Sequence, residues 1–427
     1  MSANAEPPVV FDVKDLSLAD AGRHRIEWAF QSMPVLQAVR KQFIKAQPLA
    51  GVRIAACLHA TSETANLMIT LRDGGASVAL CGSNPMSTQD DVAACLARDY
   101  GIAVYAVHDA DPQTQAGHLG AVVETKPHVA IDDGCTLATA LHARGSEASG
   151  ELFGGTEEAA TGVLRARAMA AEGALPYPLV AINTALTKHL FDNRYGTGQS
   201  TIDGILRTTN LLMAGLNVVV AGYGWCGKGV AQRAKGFGAN VIVTEVNPIR
   251  ALEALMDGCR VMSMGEAAPI GDLFITVTGN RSVIGREHLE RLKDGAILCN
   301  AGHSDVEIEI ETLEKLASSR RKARELVEEF VLRDGRRIFL LAGGRLVNLA
   351  AAEGHPAAVM DLSFANQALS VEYIVRNHRM LEKRIYMVPE EVDKQVARMK
   401  LDSMGVKVDR LSIEQERYLS SWPEGKF

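Results

Sequence analysis

Short apolar runs alternate with helix-compatible segments along most of this 427-residue chain. Residues 16–46 come first and have a helical pattern. We expect it to be interrupted before Pro34, because a proline disfavours helix in the residue before it. From residue 51 onward the apolar runs are 52–58, 76–80, 102–107, 128–131 and 178–182. Strands that alternate with helices in this way predict a parallel, doubly wound sheet.

A second series of apolar runs begins near residue 216 and predicts a second doubly wound domain. Its strands are expected at 218–220, in the run that ends at Glu245, at 273–278 and at 296–300. Residues 311–329 are charged and are expected to form a solvated helix, and residues 336–349 are expected to form two strands around the turn Gly343-Gly344. An amphipathic helix at about 389–402 begins the C-terminal arm.

A glycine turn with the sequence GYGWCG separates the first strand of the second series from the helix after it. Gly222 would permit a tight turn, Gly224 would let the backbone approach a pyrophosphate, and Gly227 would let the helix pack close to the strand. Phosphates bind well at such a helix N-terminus. Glu245, at the end of the next strand, can accept hydrogen bonds from a ribose diol and would repel a 2′-phosphate. The pattern therefore predicts a binding site for NAD rather than NADP.

Polar residues follow three strands of the first predicted sheet. They are His59, Thr61 and Glu63 after the first strand, Asn84 and Ser87 to Asp90 after the second, and Asp132 and Asp133 after the fourth. In doubly wound sheets, ligands bind beyond the carboxyl ends of the strands. Ser87, Thr88 or Asp90 could equally be helix caps. Together, His59, Glu63 and Asp133 predict a site at this edge of the sheet.

A lysine and an aspartate before the glycine turn can also take part in chemistry. If their segment is helical, Lys188 and Asp192 lie four positions apart on one face and can pair. A surface pair of this kind contributes only a few tenths of a kcal/mol, but a lysine held beside a carboxylate could relay the proton of a hydroxyl that is being oxidised. The adjacent Glu157 and Glu158 are by themselves more typical of a solvated helix start.

Composition narrows the class of protein. The net charge is −6 with dispersed Lys and Arg, so no basic stripe suggests a nucleic-acid partner. The longest uncharged run, 208–227, is broken by glycines and polar residues, which makes it a poor membrane helix. Seven scattered cysteines without a CxxC pair indicate reduced core residues rather than a disulfide framework or a metal site. With no signal-like N-terminal segment, we expect a cytoplasmic protein.

An ordered set of short motifs, spread over nearly the whole chain, resembles the S-adenosyl-L-homocysteine hydrolase family. The motifs are HATSET at 59–64, STQDD at 87–91, DDG at 132–134, EE at 157–158 with TG at 161–162, Lys188 with FDNRYG at 191–196, GYGWCGKG at 222–229, TE at 244–245, NAGH at 300–303 with DVEI at 305–308, and GHP at 354–356. Such a set in this order is highly specific.

The resemblance implies a division of the chain and a reaction. A substrate-binding domain would comprise residues 1–185 and 355–387, a Rossmann NAD-binding domain 196–352, and an oligomerisation arm 388–427 of a homotetramer. Bound NAD would oxidise the 3′ carbon of the adenosine ribose, homocysteine would leave from C5′, water would add, and the ketone would be reduced again. This gives reversible hydrolysis of S-adenosyl-L-homocysteine to adenosine and L-homocysteine.

The resemblance also assigns the chemistry to particular residues. Lys188 would be the base for the 3′ hydroxyl, with Asp192 positioning it, and Glu158 would hold the ribose diol. Asp133 and His59 would act as acid and base near C4′ and C5′. The complete catalytic set is His59, Asp133, Glu158, Lys188, Asp192 and His303.

Binding residues follow from the same resemblance. Thr61 and Glu63 would bind the adenine, with Glu63 accepting a hydrogen bond from the exocyclic amine, and His355 would mark the hinge and the gate on the adenine side. Asp133, Glu158, Lys188 and Asp192 would also touch the substrate. The cofactor contacts would be Thr161, Asn193, Gly222, Gly224, Gly227, Glu245, Asn280, Ala301, Gly302 and Asn348. No metal is implied.

Several positions depart from the family pattern. Ala159 and Ala160 stand where many members have threonines near the cofactor ribose. Arg250 replaces a usual asparagine and leaves some room for NADP, and Thr197 replaces a familiar cysteine. The tail ends at Phe427, without the extension that many members lend to a neighbouring subunit.

The short tail is typical of the archaeal and thermophilic-bacterial branch, in which an S-inosyl-L-homocysteine substrate is the main alternative. Two further hypotheses are a net NAD-dependent dehydrogenase and a catalytically silent NAD-binding regulator. The intact Lys188, Asp192, Asp133 and His59 argue against the regulator.

Overall fold

The computed structural model describes residues 10–145 and 151–422, which form two eight-stranded sheets with flanking helices. The strands are β1 Asp12–Val13, β2 Arg53–Leu58, β3 Ser77–Gly82, β4 Ala103–Ala106, β5 Val129–Asp132, β6 Gly154–Glu157, β7 Leu179–Ala181, β8 Asn217–Ala221, β9 Asn240–Thr244, β10 Arg260–Val261, β11 Leu273–Thr276, β12 Ile297–Asn300, β13 Ala317–Arg324, β14 Val327–Leu332, β15 Arg337–Leu341 and β16 Ile385–Met387.

Helices of varied length connect the strands. The α-helices are Ala19–Gln31, Pro34–Ala46, Ser62–Asp73, Asp90–Tyr100, Pro112–Glu124, Thr136–Ala143, Ala160–Ala171, Leu186–Lys188, Thr197–Thr209, Trp225–Gly236, Pro248–Met256, Met264–Ala267, Arg286–Leu289, Ile310–Leu316, Val347–Ala350, Ala357–Asn377, Glu390–Ser403 and Ile413–Ser420. Short 3₁₀ turns occur at Leu16–Leu18, Pro85–Ser87, Ile182–Thr184, Ala342–Gly344 and His378–Met380, and a π-helix spans His189–Gly196. The predicted break before Pro34 is confirmed, and Pro34 starts the second helix.

The first sheet has the order β1-β4-β3-β2-β5-β6-β7-β16, and all of its strand pairs are parallel. This confirms the doubly wound prediction for the first series of apolar runs. Because β2, β5 and β6 are neighbours at the centre, the segments after Leu58, Asp132 and Glu157 leave the same edge of the sheet side by side. The segments that carry the predicted polar residues after β2 and β5 therefore lie side by side at one edge of the sheet.

The second sheet has the order β10-β9-β8-β11-β12-β15-β14-β13. The pairs among β8 to β12 and the β12–β15 pair are parallel, whereas β13, β14 and β15 form an antiparallel meander. The glycine turn follows β8, which lies at the centre of the sheet.

Two expectations for this half are wrong. Residues 311–329 are not one helix, because the helix ends at Leu316 and β13 and β14 follow. All but the first residue of β13 is exposed, so no alternation of apolar and polar positions marks it as a strand, and cross-strand pairs such as Arg321 with Glu329 use its charges. In 336–349 only the first of two expected strands forms, since the chain turns at Gly343 and Gly344, with φ of 61° and 76°, into a short helix.

The chain returns to the first sheet after the second one is complete. The helix Ala357–Asn377 buries Leu362, Phe364 and Ala365 in the core of the first sheet, and β16 then adds to the edge at β7. The last helix, Ile413–Ser420, buries no residue. All seven cysteines are unpaired. Among the described helices, none is long and apolar enough to cross a membrane.

Candidate active site

A cavity of about 260 Å³ lies between the two sheets, at the carboxyl ends of their strands. It is lined by segments that follow β2, β5 and β6 of the first sheet and β11 and β12 of the second. The predicted site residues in its wall are His59, Thr61, Glu63, Asp133, Glu158, Thr161, Lys188, Asp192, Asn193, Ala301, Gly302, His303, Asn348 and His355. Gly222, Gly224, Gly227, Glu245 and Asn280 lie outside this wall.

At one end of the cavity, a carboxylate stands between two imidazoles. His59 Nε2 lies 3.1 Å from Asp133 Oδ2, and His303 Nδ1 lies 4.0 Å from Asp133 Oδ1. The other ring nitrogen of His59 contacts Ser87 Oγ at 2.7 Å, which orients the ring. Burial alone would raise the pKa of Asp133, but His303, His59 and Lys188 reverse this effect and hold that pKa well below its usual range. Asp133 is thus an ionised acceptor that can order two imidazoles.

At the centre of the cavity, Lys188 lies among oxygen atoms. Its Nζ is 3.2 Å from Asp192 Oδ2, 3.4 Å from Glu158 Oε1 and 2.9 Å from Asn193 Oδ1. The predicted pairing of Lys188 with Asp192 is therefore confirmed, but in a buried site, with Lys188 5% exposed. Asp192 and Asn193 belong to the π-helix His189–Gly196, a rare conformation that is often found at functional sites.

The protonation of this cluster follows from burial and charge. Burial lowers the pKa of Lys188, but the carboxylates of Asp192 and Glu158 outweigh it and raise that pKa. Burial raises the pKa of Glu158 to about 7, although Lys188 opposes it. For Asp192, burial is outweighed by Lys188 and His355, which hold its pKa well below the usual range. In the free site Lys188 and Asp192 are charged, and Glu158 is the group that titrates near neutrality.

Two polar residues that the sequence analysis missed hold these carboxylates from behind. Gln367 Nε2 donates to Glu158 Oε2 at 2.7 Å, and Ser363 Oγ donates to Asp192 Oδ2 at 2.6 Å. Both come from the buried helix Ala357–Asn377. Polar residues recur at helical spacing in this otherwise apolar segment, which indicates a buried polar face but does not identify its partners.

Glu157 and Glu158 do not form the expected solvated helix start. Glu157 is fully buried as the last residue of β6, and Glu158, which follows the strand into the cavity wall, is 8% exposed. Burial and the charges of Asp132 and Asp133 raise the pKa of Glu157. Two acidic residues in sequence thus have separate environments, and only Glu158 lines the cavity.

The other end of the cavity combines apolar walls with a carboxylate. Leu346, Leu349 and Met360 line it together with Thr61 and Glu63. Ser62 Oγ donates to Glu63 Oε1 at 3.0 Å, and burial raises the pKa of Glu63. A flat heteroaromatic ring with a polar edge suits such a lining.

His355 joins this end of the cavity to the centre. Its Nδ1 lies 2.7 Å from Asp192 Oδ1, and its Nε2 lies 3.3 Å from Thr197 Oγ1. The hydroxyl of Thr197 therefore has a defined partner at the position where the family pattern has a cysteine. Glu353, which the sequence analysis also missed, lines the cavity two residues before His355 and lies 3.5 Å from Arg25 of the helix Ala19–Gln31.

The glycine turn has the predicted conformation. Gly222 has φ of +102°, where a side chain would be strained, and a Cβ on Gly227 would lie 2.0 Å from the carbonyl oxygen of Gly222. A Cβ on Gly224 would meet only the Arg250 guanidinium, at 3.7 Å, so the backbone there is open to a ligand. Glu245 accepts hydrogen bonds from the backbone N–H of Tyr223 at 2.6 Å and of Val246 at 2.8 Å.

Two buried polar atoms in the cavity wall fit a polar ligand. Thr161 Oγ1 and Asn348 Oδ1 have no hydrogen-bond partner among the described residues, and both residues line the cavity. Buried polar groups are normally paired. Asn280 instead lies in an exposed loop after β11, where it accepts from the N–H of Arg281.

Glycines also bring the glycine-turn helix against the π-helix. A Cβ on Gly229 would lie 1.8 Å from the carbonyl oxygen of Arg194, and a Cβ on Gly198 would lie 2.6 Å from the backbone of Gly229. Backbone therefore packs on backbone at this contact. The segment that carries Asp192 is joined directly to the helix of the predicted dinucleotide site.

Known proteins resemble this chain over nearly its full length. The family model described as S-adenosyl-L-homocysteine hydrolase matches residues 10–153, and the model of its NAD binding domain matches residues 193–354. The adenosylhomocysteinase of Aquifex aeolicus is 61% identical, covering 97% of this chain and 99% of the relative. Those of Gloeothece citriformis and Saccharolobus solfataricus are 53% and 54% identical, covering 99% and 97% of this chain and 98% and 99% of the relatives.

A solved structure, that of a dipicolinate synthase from Bacillus halodurans, aligns with a TM-score of 0.44 at 14% identity over 76% of this chain and 98% of that chain. That likeness is too weak to bear on the function. The high identity over nearly full length instead decides the family. The chain belongs to the S-adenosyl-L-homocysteine hydrolases, the adenosylhomocysteinases, which use NAD to hydrolyse S-adenosyl-L-homocysteine reversibly.

Proposed function

We propose that the cavity hydrolyses S-adenosyl-L-homocysteine through a closed cycle of oxidation, elimination, water addition and reduction at the ribose. The observation that carries the proposal is that one cavity holds two separate proton-transfer centres: Lys188 between Glu158 and Asp192, and Asp133 beside His59 and His303. A net dehydrogenase needs only one such centre. The archaeal relative is named for the adenosyl form, so the S-inosyl alternative is not favoured.

The Lys188 cluster would handle the 3′ hydroxyl. Because the neighbouring carboxylates keep Lys188 protonated, Lys188 must pass a proton on before it can take one from the substrate. Glu158, with a pKa of about 7, is the neighbour that can hold this proton. The three groups then act as one coupled acid–base unit, and the ribose diol binds against Glu158.

The Asp133 group would handle the C4′ proton and the leaving sulfur. When C3′ is a ketone, the C4′ proton is acidic and can be removed, and the C5′–S bond breaks as homocysteine leaves with a proton. Addition of water across the resulting double bond restores C4′ and C5′. Asp133, His59 and His303 are the groups that lie at this end of the cavity, and both imidazoles face the Asp133 carboxylate.

NAD supplies the acceptor and the donor of the hydride when it is bound. We propose that Gly222, Gly224 and Gly227 receive its pyrophosphate and that Glu245 binds the adjacent ribose. Asn280, Ala301 and Gly302 would complete the contacts. Support comes from the open backbone at Gly224 and from the unpaired Thr161 Oγ1 and Asn348 Oδ1. Asn193 lines the same cavity.

At the far end, we propose that Thr61 and Glu63 bind the purine. An ionised Glu63 would accept from the exocyclic amine of adenine, and the apolar side chains of Leu346, Leu349 and Met360 would cover the ring faces. His355 would then gate this end, since it adjoins Gly354 and contacts Asp192.

We further propose that the chain divides as 1–185 with 355–387 for the substrate, 196–352 for NAD and 388–427 for assembly. Sheet membership supports this division, because β1 to β7 and β16 form one sheet, whereas β8 to β15 form the other. We propose a cytoplasmic location as well, which seven unpaired cysteines support.

The arm would join copies of the chain into a homotetramer. Its described part exposes Ile413, Leu419 and Trp422, which have no core of their own. The helix Pro248–Met256 exposes Ile249 and Met256 beside the predicted dinucleotide site and is a suitable partner surface on a second copy. Deleting residues 404–427 should lower the mass measured by sedimentation, and an unchanged tetramer would contradict this role.

The main experiment supplies purified protein with S-adenosyl-L-homocysteine or S-inosyl-L-homocysteine and no added cofactor. We expect free thiol to appear with the adenosyl substrate, together with an equal amount of adenosine, and no net accumulation of reduced nicotinamide. A substrate analogue that lacks the 3′ oxygen serves as the control and should release no thiol. Thiol release from that analogue, or accumulation of reduced nicotinamide with turnover, would overturn the proposal.

A further inference from the structure

A fully buried carboxylate lies beneath the turn that carries Asp133. Glu157 ends β6 directly opposite Asp132 of β5 and is 0% exposed. Its Oε1 accepts from the N–H of Gly134 at 2.8 Å and of Ala159 at 2.9 Å, and its Oε2 accepts from the N–H of Cys135 at 2.9 Å. One side chain therefore ties the turn after β5 to the segment after β6.

The turn needs this support because its backbone conformation is unfavourable. Gly134 and Cys135 have φ of +98° and +62°, and for Cys135 such a value costs energy. The two successive N–H groups point away from strand and helix bonding and converge on Glu157. Asp132 holds the other side, accepting from the N–H of Asp133 at 3.0 Å and of Ala138 at 2.8 Å.

Glycines keep the space around this arrangement clear. A Cβ on Gly162 would lie 2.1 Å from Glu157 Oε1, so a side chain there would displace the carboxylate. A Cβ on Gly134 would lie 2.8 Å from His303 Nε2, so the turn must stay bare for His303 to come near Asp133. The turn at Gly134 thus contacts Glu157 on one side and His303, which follows β12 of the second sheet, on the other.

Fold stability alone does not account for a carboxyl group at this position. A buried carboxyl group is costly unless its oxygens are hydrogen-bonded, and Glu157 forms no ion pair with a lysine or arginine among the described residues. The side chain of Glu157 instead accepts hydrogen bonds from two N–H groups of the Asp133 turn and from the N–H of Ala159.

We propose that Glu157 is a positioning residue for the elimination and water-addition steps and not for the oxidation of the 3′ carbon. It holds the turn at 133–135 so that Asp133 faces His59 and His303. This inference rests on the proposed function, since it assigns Glu157 to one of its two proton-transfer centres. Glu158 directly follows Glu157, but its carboxyl group is held by Lys188 and Gln367, and Lys188 and Asp192 lie on a different segment.

The two centres can be assayed separately in the holoenzyme. With adenosine alone, oxidation of the 3′ carbon is followed by the absorbance of reduced nicotinamide. The centre at Asp133 is followed by exchange of the C4′ hydrogen of adenosine in D₂O, measured by mass spectrometry of the recovered nucleoside, and by thiol release. For Glu157→Gln, which places an amide N–H₂ against backbone donors, we expect C4′ exchange and thiol release to fall about 10- to 100-fold. The appearance of reduced nicotinamide should stay within about threefold of the parent.

Glu307→Gln is the matched control. Glu307 is also 0% exposed, accepts from the N–H groups of Thr278 and Gly279, and is crowded by a glycine, Gly302, but it supports a loop of the second sheet. It should lower the amount of nicotinamide retained per chain without selectively slowing C4′ exchange. A selective loss of exchange in this variant would show that any buried glutamate has the effect ascribed to Glu157.

A second variant keeps the test decisive if Glu157→Gln does not fold. Gly162→Ala retains the carboxyl group but displaces it, and it should give the same selective loss. Equal loss of oxidation and exchange in a folded variant, or no loss of either, would overturn the inference. Failure of the proposed function would look different, since the unmodified enzyme would then form no reduced nicotinamide with adenosine.

Discussion

Replacing Lys188 with methionine removes an ammonium group that lies 3.2 Å from Asp192 and 3.4 Å from Glu158 in a buried site. Removal of one partner of a buried ion pair costs about 3–5 kcal/mol, because the other charge is left unpaired. Here the cost is reduced where Glu158 can take up a proton. Loss of a general base lowers rates by about 10²- to 10⁴-fold. We therefore expect Lys188→Met to lose both stability and thiol release.

The pH dependence of the stability loss follows from Glu158. Its folded pKa of about 7 lies above the ordinary value of 4.5, so its stabilising contribution is full below 4.5 and is lost as the pH rises through 7. Without Lys188, which opposes the effect of burial, that pKa rises further. The difference in unfolding free energy between the parent and Lys188→Met should therefore grow from pH 5 to pH 9.

Chemical denaturation at several pH values measures this difference, and a thiol assay measures turnover. Lys400→Met is the matched control, because Lys400 Nζ contacts the fully buried Asp361 at 2.8 Å outside the cavity. It should lose a comparable part of the unfolding free energy and keep the chemistry. Unchanged thiol release in folded Lys188→Met, or a stability difference that shrinks as the pH rises, would refute the reasoning.

Three further predictions concern other parts of the site. Asp133→Asn removes a carboxylate whose pKa is held well below 3.8, so the stability that this carboxylate contributes is present above pH 3.8 and is lost as the pH falls. The unfolding free energies of the parent and the variant should therefore converge below about pH 4. Curves that stay parallel would contradict this prediction. Glu63→Gln replaces a carboxylate acceptor with an amide that can also donate a hydrogen bond. The ratio of kcat/KM for the adenosyl substrate to kcat/KM for the inosyl substrate should therefore fall about tenfold. An unchanged ratio would exclude Glu63 from purine recognition. Gly227→Ala should reduce the amount of nicotinamide extracted per chain, because its Cβ would lie 2.0 Å from the carbonyl oxygen of Gly222. Gly236→Ala on the same helix is the control and should retain the nicotinamide, because its Cβ would have no neighbour within 4 Å.

Local sequence patterns were sufficient for much of the fold. The glycine turn and the buried strands were predictable because apolar runs, glycines and the ends of parallel strands obey local rules. Strand β13 was not, since an exposed edge strand carries charges on both faces and offers no apolar alternation.

For the site, residues that directly follow a strand or share a helical turn were predictable, as His59, Asp133 and the Lys188–Asp192 pair illustrate. Gln367 and Ser363 contact their partners across more than a hundred residues of chain, so no local pattern connects them. The burial of Glu157 likewise depends on β6 lying beside β5, which is a property of the sheet order.

The π-helix His189–Gly196 touches both halves of the molecule. Its Arg194 backbone packs on Gly229 of the dinucleotide helix, while its Asp192 is bound by Ser363 of the helix that belongs to the first sheet. In any rotation of one half against the other, a segment attached to both is displaced least and lies near the axis. Lys188 and Asp192 would therefore stay nearly stationary while His303 moves towards or away from Asp133. Opening the cleft would then separate His303 from Asp133 and leave the Lys188–Asp192 pair in place.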